Sequence, residues 1–215
     1  MKHPLSLLAS LAALALPAFI QAATVDLLAS QDGYRMYAVN GGGYIGTVWD
    51  SEEVHVGRNR VPTAQIKEYA SIRFDLDRLG PAITPEDIRS VTLKLNITEA
   101  FSRWGHDPFA YVQIEGYGDT RRYITAGQLG WNAYDFTDSV KAALAANENT
   151  LWFSGSPYGN EDGGYSFTSL ENFTGPGHIS QGPYLHLSTV PLPVSGWLML
   201  SGLAVLAGIG RRYRV

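Results

Sequence analysis

Residues 67–76, Lys67-Glu68-Tyr69-Ala70-Ser71-Ile72-Arg73-Phe74-Asp75-Leu76, decide the fold class. Ala70, Ile72, Phe74 and Leu76 alternate with Ser71, Arg73 and Asp75. Successive side chains of a strand point to opposite faces, so a period of two marks a strand with one buried face. Residues 90–98 repeat the pattern, with Val91, Leu93, Leu95 and Ile97 inward and Thr92, Lys94 and Asn96 outward. In residues 109–117, Ala110, Val112 and Ile114 oppose Tyr111, Gln113 and Glu115. Shorter strands are expected at 34–39, 52–57, 131–136, 150–154, 165–169 and 183–189. Asp32-Gly33 and Asn40-Gly41-Gly42-Gly43 read as turns, and 58–62, 101–108 and 155–164 as loops. Thr84-Pro85-Glu86-Asp87 reads as one helical turn capped by Thr84. A single helix follows Trp131–Phe136, capped by Thr137 or Asp135, with Val140, Ala143 and Leu144 on one face. About nine or ten short strands with turns between them imply an all-β, two-sheet antiparallel sandwich with one short helix.

Both ends of the chain differ from this pattern. Lys2 and His3 precede an apolar segment from Leu5 to Ile20, and Gln21-Ala22-Ala23 follows. Charge, apolar core and small residues in that order describe a secretory signal peptide over residues 1–22. At the other end, Val190-Pro191-Leu192-Pro193 precedes an uncharged apolar run, 194–210, and a basic tail, 211–215, carrying Arg211, Arg212 and Arg214. As a helix that run would be roughly 25 Å long at ~1.5 Å per residue, near the lower limit for crossing a bilayer. The arginines would stay on the cytoplasmic side. Residues 24–189 remain as one domain.

The chain has no cysteine, so no disulfide or lipid-bearing thiol is available and packing must hold the domain together. Of its 16 basic residues, Lys2, Arg211, Arg212 and Arg214 lie outside the domain. The 12 others face all 20 acidic residues there, a balance of −8. Nucleic acid, which selects a basic face, is not the expected partner. Nor is an anionic polymer held by charge alone, whereas a neutral glycan or calcium is compatible.

The C-terminal stretch resembles the PEP-CTERM sorting signal of Gram-negative bacteria that make exopolysaccharide. All three of its parts occur in order: the Pro-x-Pro motif at Val190, Pro191, Leu192 and Pro193, the short Gly- and Leu-rich helix, and the terminal arginines. The resemblance implies recognition and cleavage by an exosortase, transient anchoring in the inner membrane, and then display at the cell surface or release. The family's usual glutamate between the prolines is Leu192 here, which leaves open which sorting enzyme acts. The core is similar to the DNRLRE group of jelly-roll domains, which resemble carbohydrate-binding modules. The likeness runs through Val54-His55-Val56-Gly57, residues 70–76, Ile88 to Leu95, Asp135-Phe136-Thr137-Asp138-Ser139-Val140 and Pro183-Tyr184-Leu185-His186-Leu187. It implies a non-catalytic domain that associates with extracellular polysaccharide or biofilm matrix. Arg103-Trp104-Gly105-His106 has no counterpart in that pattern.

Chemical signatures are sparse. Gly41-Gly42-Gly43 lacks the lysine and the strand-to-helix context of a phosphate loop. Phe153-Ser154-Gly155-Ser156-Pro157 is not a nucleophile elbow. His55, His106, His178 and His186 lack zinc-site spacing, and no catalytic residue is assigned. Asp75 with Asp77, and Asn160-Glu161-Asp162-Gly163, could supply oxygens to a structural Ca²⁺, with no ligand set defined. Aromatic residues stack on the apolar faces of sugar rings and keep their polar atoms wet. Trp49 and Trp104, read as loop residues, are the glycan-contact candidates, while Trp131 is expected in the core. A self-associating matrix protein and a polysaccharide-active enzyme are the alternative readings.

Overall fold

The computed structural model describes residues 22–39, 43–61, 64–81, 83–102, 108, 110–124, 129–157, 163–171 and 181–190. Thr24–Thr189 form one compact unit, and the terminal segments Met1–Ala23 and Val190–Val215 fall outside it. The strands are β1 (Thr24–Leu28), β2 (Gln31–Ala38), β3 (Tyr44–Trp49), β4 (Glu53–Val61), β5 (Ala64–Asp75) and β6 (Ile88–Ser102). They continue with β7 (Ala110–Ile114), β8 (Arg122–Ile124), β9 (Gly130–Asp135), β10 (Thr150–Pro157), β11 (Gly163–Thr168) and β12 (Tyr184–Thr189). One α-helix, α1 (Thr137–Ala145), lies between β9 and β10. The protein is all-β, and every described strand pair is antiparallel.

Two long strands organise the sheet. β5 pairs with β2 over Ile66–Arg73, with β4 over Ala64–Glu68 and with β10 over Ala70–Asp75. The overlaps put β2 on one flank and β4 followed by β10 on the other. β6 takes β12 near its start, β9 in its middle and β11 at its far end. β11 also pairs with β4, so the halves built on β5 and β6 belong to one curled, hydrogen-bonded sheet. Strands that alternate so regularly bury one side, and the curl brings those sides together.

The alternation of β5 and β6 reads as expected. Ile72, Phe74, Val91, Leu93 and Leu95 are fully buried. Phe153 of β10 meets the edge of Phe74 at 5.4 Å and that of Phe136 at 4.9 Å between ring centres. The helix covers the end of this core with Val140 and Ala143. Asp135 starts it by accepting a 3.0 Å bond from the Thr137 amide, one of the donors a helix N-terminus leaves unpaired. Thr137 Oγ1 turns back to accept from the Val91 amide at 2.9 Å, fastening helix to sheet. Thr84 pairs reciprocally with Asp87, as its capping role requires, over a 3-10 turn.

Several expectations change, and Asp32-Gly33 lies within β2 rather than in a turn. The segment 58–62 is strand rather than loop up to Val61, because β4 runs straight into a tight hairpin with β5. Its polar residues hid the period that apolar ones would have shown. β6 and β10 likewise extend into expected loops, to Ser102 and Pro157. Trp131 is 47% exposed on β9 instead of buried, its ring edge against Tyr184 at 5.3 Å. Among the described residues no helix is long and apolar enough to cross a membrane. The expected signal peptide, except Ala22, and the sorting segment beyond Val190 lie outside the described residues.

Candidate functional site

The registers bring a row of aromatic side chains to one side of the sheet, Trp152 of β10 among them through its pairing with Arg73. Opposed residues on paired strands share a face. On this face Gly33 of β2 lies beside Trp49, Arg35 beside Tyr69, and Tyr37 beside both Tyr44 and Lys67. Across β10, Ser154 pairs with Ser71 and Gln113, Ser156 with Tyr111, and Tyr111 in turn with Tyr123. Trp49, Tyr44, Tyr37, Tyr69, Tyr111 and Tyr123 therefore look away from the core across β3, β2, β5, β7 and β8. Six neighbouring strands span roughly 24 Å at ~4.8 Å per step.

A cleft of about 490 Å³ opens on this face. Tyr37 and Tyr69 form one wall, meeting edge to face at 5.4 Å and 85°. Tyr44 continues the wall at 5.5 Å from Tyr37 and hydrogen-bonds Thr47 through its hydroxyl at 2.6 Å. Ser154, Ser156 and Glu115 line the cleft with hydroxyl and carboxylate oxygens, and Arg35 and Lys67 with donors. The Arg35 guanidinium is steadied by donating to Ser71 Oγ at 3.3 Å. Burial, and then the neighbouring Tyr111 and Tyr37, push the Tyr69 hydroxyl above its ordinary pKa, so it stays protonated and can donate at neutral pH. Beyond the cleft, Tyr111 and Tyr123 meet edge to face at 6.2 Å, with Arg121 over the Tyr111 ring at 5.8 Å. Flat rings with polar rims, interleaved with donors and acceptors, can hold a polyhydroxylated chain by its CH faces and hydroxyls together.

Trp49 is a strand residue, not a loop residue. It ends β3, half-buried, with its ring over Gly33, where an added Cβ would lie 2.5 Å from the indole. It shares the face of the cleft without lining it. Trp104 lies outside the described residues, as does Asn160-Glu161-Asp162. Asp75 is engaged by Arg73 at 2.9 Å. Among the described residues no three His, Cys, Asp or Glu side chains are grouped to hold a metal ion. His186 is a surface residue paired with Asp26 at 2.6 Å.

Tyr123 lies on β8, where no strand was expected, and Tyr69 carried no signal beyond its outward phase in an alternating strand. That phase was legible, but which outward residues become neighbours depends on strand order. No protein-family model matches the chain. No curated protein matches it either.

Proposed function

We propose that this is an exported, non-catalytic protein that associates with extracellular polysaccharide through the tyrosine-lined cleft. The observation that carries the reading is the wall of Tyr37 and Tyr69 beside Arg35, Lys67, Ser154 and Ser156. Such a surface suits a sugar chain: the rings take its apolar faces, and the side-chain donors and acceptors take its hydroxyls. In this reading the halves built on β5 and β6 act as the two layers of a jelly-roll-like sandwich. An exosortase recognises Pro191-Leu192-Pro193, with residues 194–210 as a transient inner-membrane helix and Arg211, Arg212 and Arg214 on its cytoplasmic side. Processing then leaves the domain at the cell surface or in the matrix.

The test is affinity electrophoresis of the full chain in mild detergent, through gels containing hydroxyethyl cellulose, xylan, laminarin or alginate. At least one glycan should retard the wild type. Tyr69→Ala should weaken that binding about three- to tenfold, the worth of one aromatic contact. Lys94→Ala, on β6 and remote from the cleft, should leave it unchanged. Equal mobility of the wild type and Tyr69→Ala in every gel rejects the cleft as a glycan site. For sorting, Pro191→Ala combined with Pro193→Ala should leave unprocessed chain in the inner-membrane fraction, and undiminished processing rejects the motif.

Self-association is favoured by a separate observation. Trp131, Leu129 and Leu28 are 47%, 62% and 43% exposed, an apolar set away from the cleft. Concentration-dependent sedimentation that Trp131→Ser abolishes would support this second reading.

A further inference from the structure

We propose that His55 and the glutamates around it form a proton-operated clasp, which ties β2, β4, β5 and β6 together in mildly acidic surroundings and slackens as they turn alkaline. His55 lies on β4, in register with Ser166 of β11, which in turn opposes Glu99 of β6. Its Nδ1 is 3.7 Å from Glu68 Oε2 of β5, and its Nε2 is 4.0 Å from Glu53 Oε2 of its own strand. Its ring stacks on Tyr34 of β2, 4.8 Å between centres and 27° apart. The groups facing it are thus three carboxylates, one phenol and one hydroxyl.

Proton occupancy decides what this arrangement does. A charged imidazolium is attracted by Glu68, Glu53 and Glu99 and lies over the electron-rich face of Tyr34. A neutral ring leaves Glu68 and Glu53 beside it uncompensated, with Glu99 two strands away across Ser166. Glu68 suffers most, being buried with Oε2 lacking a hydrogen-bond partner. An uncompensated buried charge is strongly unfavourable. The interaction with Glu68 accordingly raises the His55 pKa above its ordinary value, against the opposing effect of burial, with Glu53 and Glu99 adding to the rise. A raised folded-state pKa favours folding below the unfolded value, and the gain is lost as pH rises through the folded one.

The clasp underlies the cleft. Tyr34 precedes Arg35, and Glu68 lies between Lys67 and Tyr69, so alternation puts clasp and cleft on opposite sides of the same strands. It does not depend on what the cleft binds.

The deciding measurement is the titration of the His55 ring by NMR, in the full chain in detergent and again in denaturant. The native midpoint should lie above the denatured one. Amide protection in β4 and β5 should fall about three- to tenfold between about pH 6 and about pH 9, as the ring loses its proton. Measured with Asp32→Asn in the background, which removes the titration of the buried Asp32 carboxyl, His55→Gln should remove that dependence, while His186→Gln should keep it. A native midpoint at or below the denatured one, or the same loss of protection in His55→Gln, overturns the clasp. Should His55→Gln fail to fold, the wild-type midpoint decides alone.

Discussion

Ser169 Oγ bonds Asp32 Oδ1 at 2.9 Å across 137 residues of sequence, joining β2 to the turn after β11. The Leu170 amide donates to the other carboxylate oxygen at 3.0 Å. The same Ser169 hydroxyl contacts Glu171 Oε2. One hydroxyl carries one proton, so it serves both carboxylates only when one of them is itself protonated. Asp32 is that group by position, being 1% exposed. Burial outweighs its hydrogen bonds and pushes its pKa up to about 7.

A neutral Asp32 sets the direction of a pH effect. Its unfolded pKa is near 4, so its contribution to stability is complete below about pH 4 and lost as pH rises through about 7. A shift of this size corresponds to about 4 kcal/mol. Asp32→Asn, always neutral, should flatten most of the fall in unfolding free energy between about pH 4 and about pH 8. His55 acts in the same direction, so the double variant with His55→Gln should be flatter still. Denaturant titrations at several pH values read this out, and an unchanged slope in Asp32→Asn would mean that Asp32 is ionised in the fold.

Gly57 and Gly164 oppose each other where β4 meets β11, and the Phe101 ring lies over them. A Cβ on Gly164 would be 2.2 Å from the Val56 carbonyl oxygen and 2.5 Å from the Gly57 Cα. Both are backbone, so neither can swing aside. Gly164→Ala should therefore cost about 1–3 kcal/mol, the range for overpacking. Gly116→Ala tests a different cause: its added Cβ meets nothing within 4 Å, but φ is +83°. It should cost about 1 kcal/mol through backbone conformation alone. Equal destabilisation of the two would remove the crowding at β4–β11 as the explanation.

Phe74 tests the inward phase of β5. It is fully buried against Phe153. Phe74→Ala should lower unfolding free energy by about 3–5 kcal/mol through lost burial and the cavity left behind. Lys94 is an outward residue of β6, and Lys94→Ala should change stability by about 0.5 kcal/mol or less. Chemical denaturation compares the two directly, and the opposite ranking would reverse the assigned faces.

Much of the fold was legible because strand phase is a local property. The inward residues of β5, β6 and β7 followed from alternation alone, and the cap at Thr84 from the proline that follows it. The cap expected at Thr137 or Asp135 falls instead on Phe136, with Asp135 accepting from the Thr137 amide. Local pattern failed where polar residues occupy a paired strand, as at Arg58, Asn59 and Arg60. It failed too at Trp131, whose place at the helix entry suggested a core position that the outward side of β9 does not provide. The readings of the terminal segments rest on composition and order, and nearly all of those residues lie outside the described ones. The cleft was not legible, since Tyr37, Tyr69 and Tyr111 meet only once β2, β5, β10 and β7 are laid side by side. The same holds for Asp32 with Ser169 and for His55 with Glu68. Alternation tells each side chain which way to face. The order in which the strands hydrogen-bond decides what it faces beside, and therefore which tyrosines make a surface and which carboxylates share a proton.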